Sequence, residues 1–279
     1  MTVDAIIVNW NGGDELLVAI ESARRFGANV IVVDNASEFG VARGLGAHPD
    51  VTLIRSPRNL GFAAGCNLGA AAGSAGIVLL LNPDAEIVAG SAADLEQAFE
   101  SSSGVIIGLP LEHTSGRSLR TSYPLPGARQ LLADLFRLHS MRRRLGMDPP
   151  LQPAVDDVVT RVGWIVGSAL AMRRTDWQRL GGLDDGFFLW YEDVDLGARA
   201  AKTGGTIDVA GGILVRHGGA SSWSRLSRRR RQWLRIAGTH RYAARHLGRG
   251  AAAAIVAAAP AAVLAGVALD VAHWLARRP

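Results

Sequence analysis

The sequence predicts an α/β fold in which a mostly parallel central sheet carries helices on both faces, and three observations predict it. Val3 to Val8, Val30 to Val33, Val51 to Ile54 and Ile77 to Leu81 are short runs, apolar almost throughout, as strands buried on both faces are. Stretches with apolar residues at helical spacing alternate with them, at Asp14 to Phe26 (Leu16, Leu17, Ile20, Ala23), about Gly61 to Ala72 and about Ser91 to Ser101. Three of the four runs end in polar residues, Asn9-Trp10-Asn11, Asp34-Asn35 and Asn82-Pro83-Asp84. Any one of these alone reads as a turn former or helix cap. Together they mark the carboxyl rim of a parallel sheet, which is where such folds bind ligands.

Composition bounds the rest. A chain of 279 residues, 48% of them hydrophobic, has room for one large core plus an appendage. The single cysteine, Cys66, excludes an internal disulfide framework and fits a reducing compartment. The N-terminus enters a strand-like run with no charged leader before it, so no cleavable signal peptide is expected and the catalytic part should stay in the cytoplasm. Net charge is +5, with Lys202 the only lysine, so the basic charge is nearly all arginine. From Arg225 to Arg249 that charge is unopposed by any acid, a patch suited to an anionic partner or a membrane surface.

Along the chain, Arg58 to Asn67 (RNLGFAAGCN) precedes a helix with glycines that permit close backbone approach and a helix N-terminus that suits a phosphate. It is not the dinucleotide fingerprint, because no G-x-G-x-x-G follows the first strand. Tyr123 to Pro153 holds five prolines around a helix near Ala128 to Leu145, which fits either a packed amphipathic helix or one that meets lipid. Val158 to Arg173 resumes strand character around Gly163 and Gly167.

Glu192, Asp193 and Asp195 then follow the apolar run Phe187, Phe188, Leu189, Trp190, Tyr191. Aromatic surroundings desolvate a carboxylate and raise its basicity, which suits a general base. The same three acids also suit the first turn of a helix that ends with Arg199 and Lys202 before Gly204-Gly205, and both readings can hold.

Thr206 to Ala210 and Ile213 to His217 read as two short closing strands, and His217 alone would read as a structural strand-end residue. Beyond Ser221 the composition shifts: Trp223 and Trp233 interleave the arginines, and Ala251 to Leu269 carries no charge over nineteen residues. Pro260, Gly266 and the alanine content favour an in-plane or partly inserted helical hairpin over a full membrane span, with a soluble packing helix as the third reading. The expected division is therefore 1–220 and 221–279.

Six ordered motifs, Val8-Asn9-Trp10-Asn11, Val33-Asp34-Asn35-Ala36-Ser37, Asn59-Leu60-Gly61-Phe62-Ala63 with Gly65 and Asn67, Leu81-Asn82-Pro83-Asp84, Gly181-Gly182-Leu183-Asp184 and Glu192-Asp193-Val194-Asp195, together resemble glycosyltransferase family 2. Within it the sequence is most similar to bacterial rhamnosyltransferases acting on polyprenyl-diphosphate-linked sugars. The resemblance runs from about residue 3 to 217.

It implies a GT-A fold, a nucleotide-diphospho-sugar donor with dTDP-rhamnose favoured, a glycan or polyprenyl-diphosphate-linked acceptor, a divalent Mg²⁺ or Mn²⁺ ion, and inversion by direct displacement. Carried over by position, Trp10 and Asp34 line the nucleoside pocket, and Asn59, Gly61 and Asn67 lie near the nucleotide or its diphosphate. Asn35, Asn82, Trp164, Asp184 and Glu192 complete the substrate-binding set, with Glu192 or Asp195 steering acceptor hydroxyls or capping the helix. Asp84 and His217 bind the metal, and Asp193 is the base. Asn82 stands where the family's D-x-D element has its first Asp, which weakens the metal site. Another donor sugar, a hexose or galactofuranose, fits the same machinery. An inactive binding subunit is disfavoured because Asp84, Asp193 and His217 are all present, and nucleic-acid binding because no recognised motif accompanies the basic patch.

Overall fold

A computed structural model describes residues 1–38, 48–136, 138, 162–218 and 223–275, with side chains as far as residue 266. Contacts divide the chain into two compact units, one of Met1–Leu125 with Leu151–Leu226, the other of Pro126–Pro150 with Ser227–Pro279.

The first unit is built on a seven-stranded sheet. β1 (Val3–Asn9) lies between β2 (Asn29–Asp34) and β4 (Ile77–Leu81), parallel to both, and β3 (Thr52–Arg55) continues the parallel run beyond β2. β11 (Ala169–Arg173) is inserted antiparallel between β4 and β6 (Gly104–Gly108), and β12 (Thr206–Val209) closes the far edge parallel to β6. All seven residues of β1 are buried, including Asp4, which pairs with Arg174 Nη2 at 2.7 Å, so the mostly apolar run follows from burial on both faces rather than on one.

Alternate residues feed two cores. Val3, Ala5 and Ile7 face α1 (Glu15–Phe26) and α3 (Ala92–Ser101), packing with Leu16, Ile20, Leu95 and Phe99. Ile6 and Val8 face the opposite way, into a core with Ala63 and Cys66 of α2 (Phe62–Ala72), Trp177 of α5 (Arg174–Leu180) and Leu196 of α6 (Glu192–Lys202). Cys66 is fully buried there, and burial pushes its thiol well above the usual range, as a packing residue requires. A Cβ on Gly65 would stand 2.8 Å from Val8 Cγ1 and one on Gly69 2.4 Å from Ile6 Cγ2, so these glycines let α2 sit against β1.

Of the remaining strands, the sequence anticipated the one that ends at His217 and strand character near Gly163, and missed those at Ala85–Ala89, Leu111–His113, Ser118–Leu119 and Ser122–Tyr123. β5 (Ala85–Ala89), β7 (Leu111–His113), β8 (Ser118–Leu119) and β13 (Leu214–His217) form a second, four-stranded sheet in the order β5-β13-β7-β8. β9 (Ser122–Tyr123) and β10 (Trp164–Ile165) pair antiparallel. The second sheet matters for chemistry because β13 runs antiparallel to β5 with His217 opposite Ala85, which brings the histidine beside the Asn82–Asp84 turn.

The second unit is helical: α4 (Ala128–Leu135), α7 (Arg228–His246) and α8 (Arg249–Leu275). Leu131 and Leu135 of α4 are buried, and α4 packs on both α7 and α8, which decides for the packed reading of this helix. Its expected extension to Leu145 falls outside the described residues beyond Leu138. The unit boundary at Leu226 and the grouping of α4 with the C-terminal helices differ from a cut after residue 220, because that buried stripe joins two distant stretches of chain. α8 continues through Pro260 as one helix, without a hairpin turn. Its stretch Arg249–Gly266 is long and apolar enough to cross a membrane by length and composition, with 22% of that window buried.

Candidate active site

Three strand ends build the rim of a cleft of about 120 Å³, lined by Val8, Trp10, Asn35, Asn59, Gly61, Phe62, Asn82, Pro83, Asp84, Phe188, Leu189, His217 and Leu226. Beside it a polar lattice ties the loops together. Asn9, fully buried, donates from Nδ2 to Asp34 Oδ1 at 3.3 Å and accepts the Gly12 N–H on Oδ1 at 3.1 Å. Ser37 Oγ donates to Asp34 Oδ1 at 2.5 Å and accepts the Asn11 N–H at 2.8 Å, which joins the loop after β1 to the loop after β2. Asn35 reaches across to the loop after β3, donating to Asn59 Oδ1 at 3.0 Å and to the Gly61 carbonyl at 2.9 Å, and accepting the Leu60 N–H at 2.8 Å. A buried amide that satisfies both its ends this way holds a loop in one shape.

Gly61 caps the N-terminus of α2 with φ of 85°, and a Cβ there would stand 2.4 Å from the Phe188 carbonyl oxygen. Only glycine fits both the left-handed backbone and that approach.

On the opposite rim, His217 Nε2 lies 3.2 Å from Asp84 Oδ1 and 3.2 Å from Asn82 Nδ2. Among the described residues no cluster of three or more His, Cys, Asp or Glu forms a complete metal cage. The donors present, one carboxylate and one imidazole, instead suit a hard divalent ion that takes most of its shell from phosphate oxygens and water.

Asp193 stands in the first turn of α6 with Glu192 and Asp195, and Arg199 and Lys202 stand in the last, as the helix-terminal reading expects. Its carboxylate accepts N–H bonds from Gly167 at 2.9 Å and Val194 at 2.8 Å. A Cβ on Gly167 would stand 3.5 Å from Asp193 Cβ and 3.5 Å from Phe62 Cε1, so the carboxylate is a neighbour of a cleft-lining ring. Burial pushes the Asp193 pKa up to about 6, against the two N–H bonds, which hold it down.

The other expected residues divide. Trp10, Asn35, Asn59, Gly61, Asn82, Asp84 and His217 come together on the cleft. Asp34 lies behind it, buried, as the acceptor for Asn9 and Ser37. Asn67 does not line it; its side chain binds the Leu183 backbone and the Asp185 carboxylate. Asp184 accepts the Gly186 N–H at 2.9 Å, and Trp164 stacks on Tyr123 with ring centroids 4.9 Å apart.

Glu192 is 5% exposed with Oε2 unpartnered, and burial first, then the Asp193 charge, push its carboxyl well above the usual range. Asp195 is fully buried and paired with Arg199 Nε at 2.7 Å, so it serves the fold and does not reach for an acceptor. Sequence reasoning passed over Phe188 and Leu189 as cleft walls and the Gly167 N–H as a partner of Asp193; the aromatic run before Glu192 was the one signal for the walls.

A mostly parallel sheet with this polar rim, joined by a second sheet that delivers a histidine to an N-x-D turn, is the GT-A arrangement of sugar-nucleotide transferases. Residues 4–147 match the family described as Glycosyl transferase family 2, and residues 122–276 match Glycosyl transferase family group 2. The chain belongs to glycosyl transferase family 2 and is a glycosyltransferase.

It is 27% identical over 223 residues to N-acetylglucosaminyl-diphospho-decaprenol L-rhamnosyltransferase of Mycobacterium tuberculosis, covering 71% of this chain and 70% of that protein. It is 27% identical over 201 residues to a low-salt glycan biosynthesis hexosyltransferase of Haloferax volcanii, covering 71% of this chain and 61% of that one. The crystal structure of GalNAc-T7 with UDP, GalNAc and Mn²⁺ superposes with a TM-score of 0.57 at 16% identity, over 78% of this chain and 44% of that one, a likeness of fold.

Proposed function

We propose that this glycosyltransferase moves rhamnose from dTDP-rhamnose to a hydroxyl of a polyprenyl-diphosphate-linked glycan, with inversion, in cell-envelope polysaccharide synthesis. The observation that carries the reading is one cleft with the Asn35, Asn59 and Gly61 lattice on one side and the Asp84 and His217 pair on the other, and Asp193 beside its Phe62 wall. The likeness to the mycobacterial rhamnosyltransferase supports the sugar and the lipid-linked acceptor.

In this reading Trp10 and the Asp34-braced rim receive the nucleoside, while the N-terminus of α2 at Gly61 faces the diphosphate. Asp193 takes the proton of the acceptor hydroxyl as its oxygen attacks the anomeric carbon and the nucleoside diphosphate departs from the opposite face. Asp84 and His217 are the residues that would hold a Mg²⁺ or Mn²⁺ ion, which when bound would supply Lewis-acid neutralisation of charge on the leaving diphosphate.

The second unit supports work at the cytoplasmic side of a membrane. Arg228, Arg229 and Arg230 are exposed at the start of α7, Trp233 is 63% exposed, and Val256 and Leu264 of α8 are 57% and 71% exposed. Arginines gain from an anionic surface, tryptophan favours the interface and exposed apolar residues enter it.

A panel of nucleotide sugars scored by thermal shift, with and without Mn²⁺, tests the donor. A ligand that binds the native state at about 100 times its Kd adds ~2.7 kcal/mol of stability. The largest shift is expected for dTDP-rhamnose with Mn²⁺; a larger one for a UDP-hexose would replace the sugar. A hexosyl donor is the second reading, favoured by the equal identity to the Haloferax hexosyltransferase.

A further inference from the structure

Asn67 projects from α2 onto the segment that leads to the base. Its Nδ2 donates to the Leu183 carbonyl at 2.7 Å and its Oδ1 accepts the Leu183 N–H at 3.0 Å, a two-way clasp on one residue of backbone, with a further bond to the Asp185 carboxylate. At the start of the same helix, the Phe62 N–H donates to the Phe188 carbonyl at 2.8 Å. The segment from Leu183 to Phe188 therefore runs antiparallel along the first turns of α2, tied at one end by a side chain and at the other by backbone.

Both ties are tight. A Cβ on Gly182 would stand 2.4 Å from Asn67 Oδ1, and one on Gly61 2.4 Å from the Phe188 oxygen. After the second tie, Trp190 and Tyr191 have φ of 68° and 73°, a left-handed turn uncommon for residues with side chains. The Tyr191 carbonyl then accepts the Asp195 N–H at 2.8 Å, which closes the first turn of α6 around Asp193. Gly61 and Phe62 on one side of that second tie, and Phe188 and Leu189 on the other, all line the cleft.

From this we infer that Asn67 is a positioning residue for Asp193. It fixes the Leu183–Tyr191 segment on α2, so that the helix whose N-terminus meets the donor also sets the base. The inference rests on the reading of Asp193 as the base, and it departs from a nucleotide-contacting role for Asn67.

Asn67→Ala removes the clasp; Asn67→Asp keeps an acceptor for the Leu183 N–H and loses the donated bond. Both are compared in the full chain with the unaltered enzyme and with Asp193→Asn. dTDP and UDP serve as calorimetric probes of the donor cleft, and turnover is followed with the nucleotide sugar that most stabilises the chain. Misplacing a reacting group by ~1 Å can cost ~10²-fold. Asn67→Ala should lower kcat by about that factor with nucleotide affinity unchanged, Asn67→Asp, which sets a carboxylate against the Leu183 carbonyl and the Asp185 carboxylate, should lose at least as much, and the acid limb of the kcat profile should move to lower pH as water reaches Asp193. Nucleotide affinity falling in step with kcat, an unchanged kcat, or failure of both variants to fold would each overturn the inference. Asp193→Asn with full turnover would instead overturn the base itself.

Discussion

Replacing Asp193 by Asn is the most searching perturbation of this site. The carboxylate is held by two N–H donors, from Gly167 and Val194, and burial lifts its pKa to about 6. As a general base it works only ionised, so activity is present above that pKa and lost as the pH falls through it. With that value the base form is about nine-tenths of the enzyme near pH 7 and about one-tenth near pH 5, so kcat should drop roughly tenfold for each pH unit below 6.

Asparagine keeps the shape and one acceptor oxygen, while its amide turns a donor toward the second N–H. That mismatch costs ~1–3 kcal/mol, offset in part by removal of a buried charge, so the variant should fold. Turnover should fall by about 10² to 10⁴, or ~3–5 kcal/mol in the barrier, and the acid limb near 6 should disappear. The assay is steady-state transfer across pH, paired with nucleotide titration to show an intact donor cleft. Near-wild-type turnover, or an acid limb that survives in the variant, would refute the reasoning.

The remaining predictions concern the metal, the fold and the membrane. Asp84→Ala and His217→Ala should each raise the Mg²⁺ or Mn²⁺ concentration needed for half-maximal rate, because each removes a ligand; full activity in excess chelator would refute the pair's role. Arg199→Ala should cost roughly 3–5 kcal/mol in denaturant unfolding, because it takes away the cation paired with the fully buried Asp195 and also removes bonds to the Leu180 and Gly182 carbonyls; a loss under about 1 kcal/mol would show the pair to be weak. Changing Arg228, Arg229, Arg230 and Arg231 to Gln should weaken sedimentation with phosphatidylserine vesicles, by ~1 kcal/mol for each residue near the surface. High salt should strip only part of the unaltered chain while detergent releases all of it, and equal binding by both forms would remove the arginines from the account.

The sheet was legible where burial is two-sided. β1, β2 and β4 are apolar almost throughout because helices cover both faces, and their polar ends stand out by contrast. β6, in the same sheet, went unread because its five residues follow three serines and carry a glycine at each end, whereas its partner β11 lies within the strand character read from Val158 to Arg173. The second sheet was illegible because strands such as Leu111–His113 and Ser118–Leu119 are defined by their partners, not by their own residues. Asp84, His217 and Asp193 were singled out through ordered motifs, and the first two line the cleft. The true partners of Asn67 lie 116 and 118 positions away, and no local pattern encodes a bond of that span.

The second unit is assembled from two stretches of chain, Pro126–Pro150 and Ser227–Pro279. During synthesis, α4 leaves the ribosome well before the helices it packs on have been made. At ~5–20 residues per second the wait spans on the order of ten seconds, and through it Leu131 and Leu135 have no partners from their own unit. Closing the gap costs little at equilibrium, because loop entropy grows only with the logarithm of length. The exposure is a matter of timing. A nascent chain stalled before Ser227 would have every strand of the sugar-transfer sheet in hand and still carry an apolar helix open to chaperones or to aggregation.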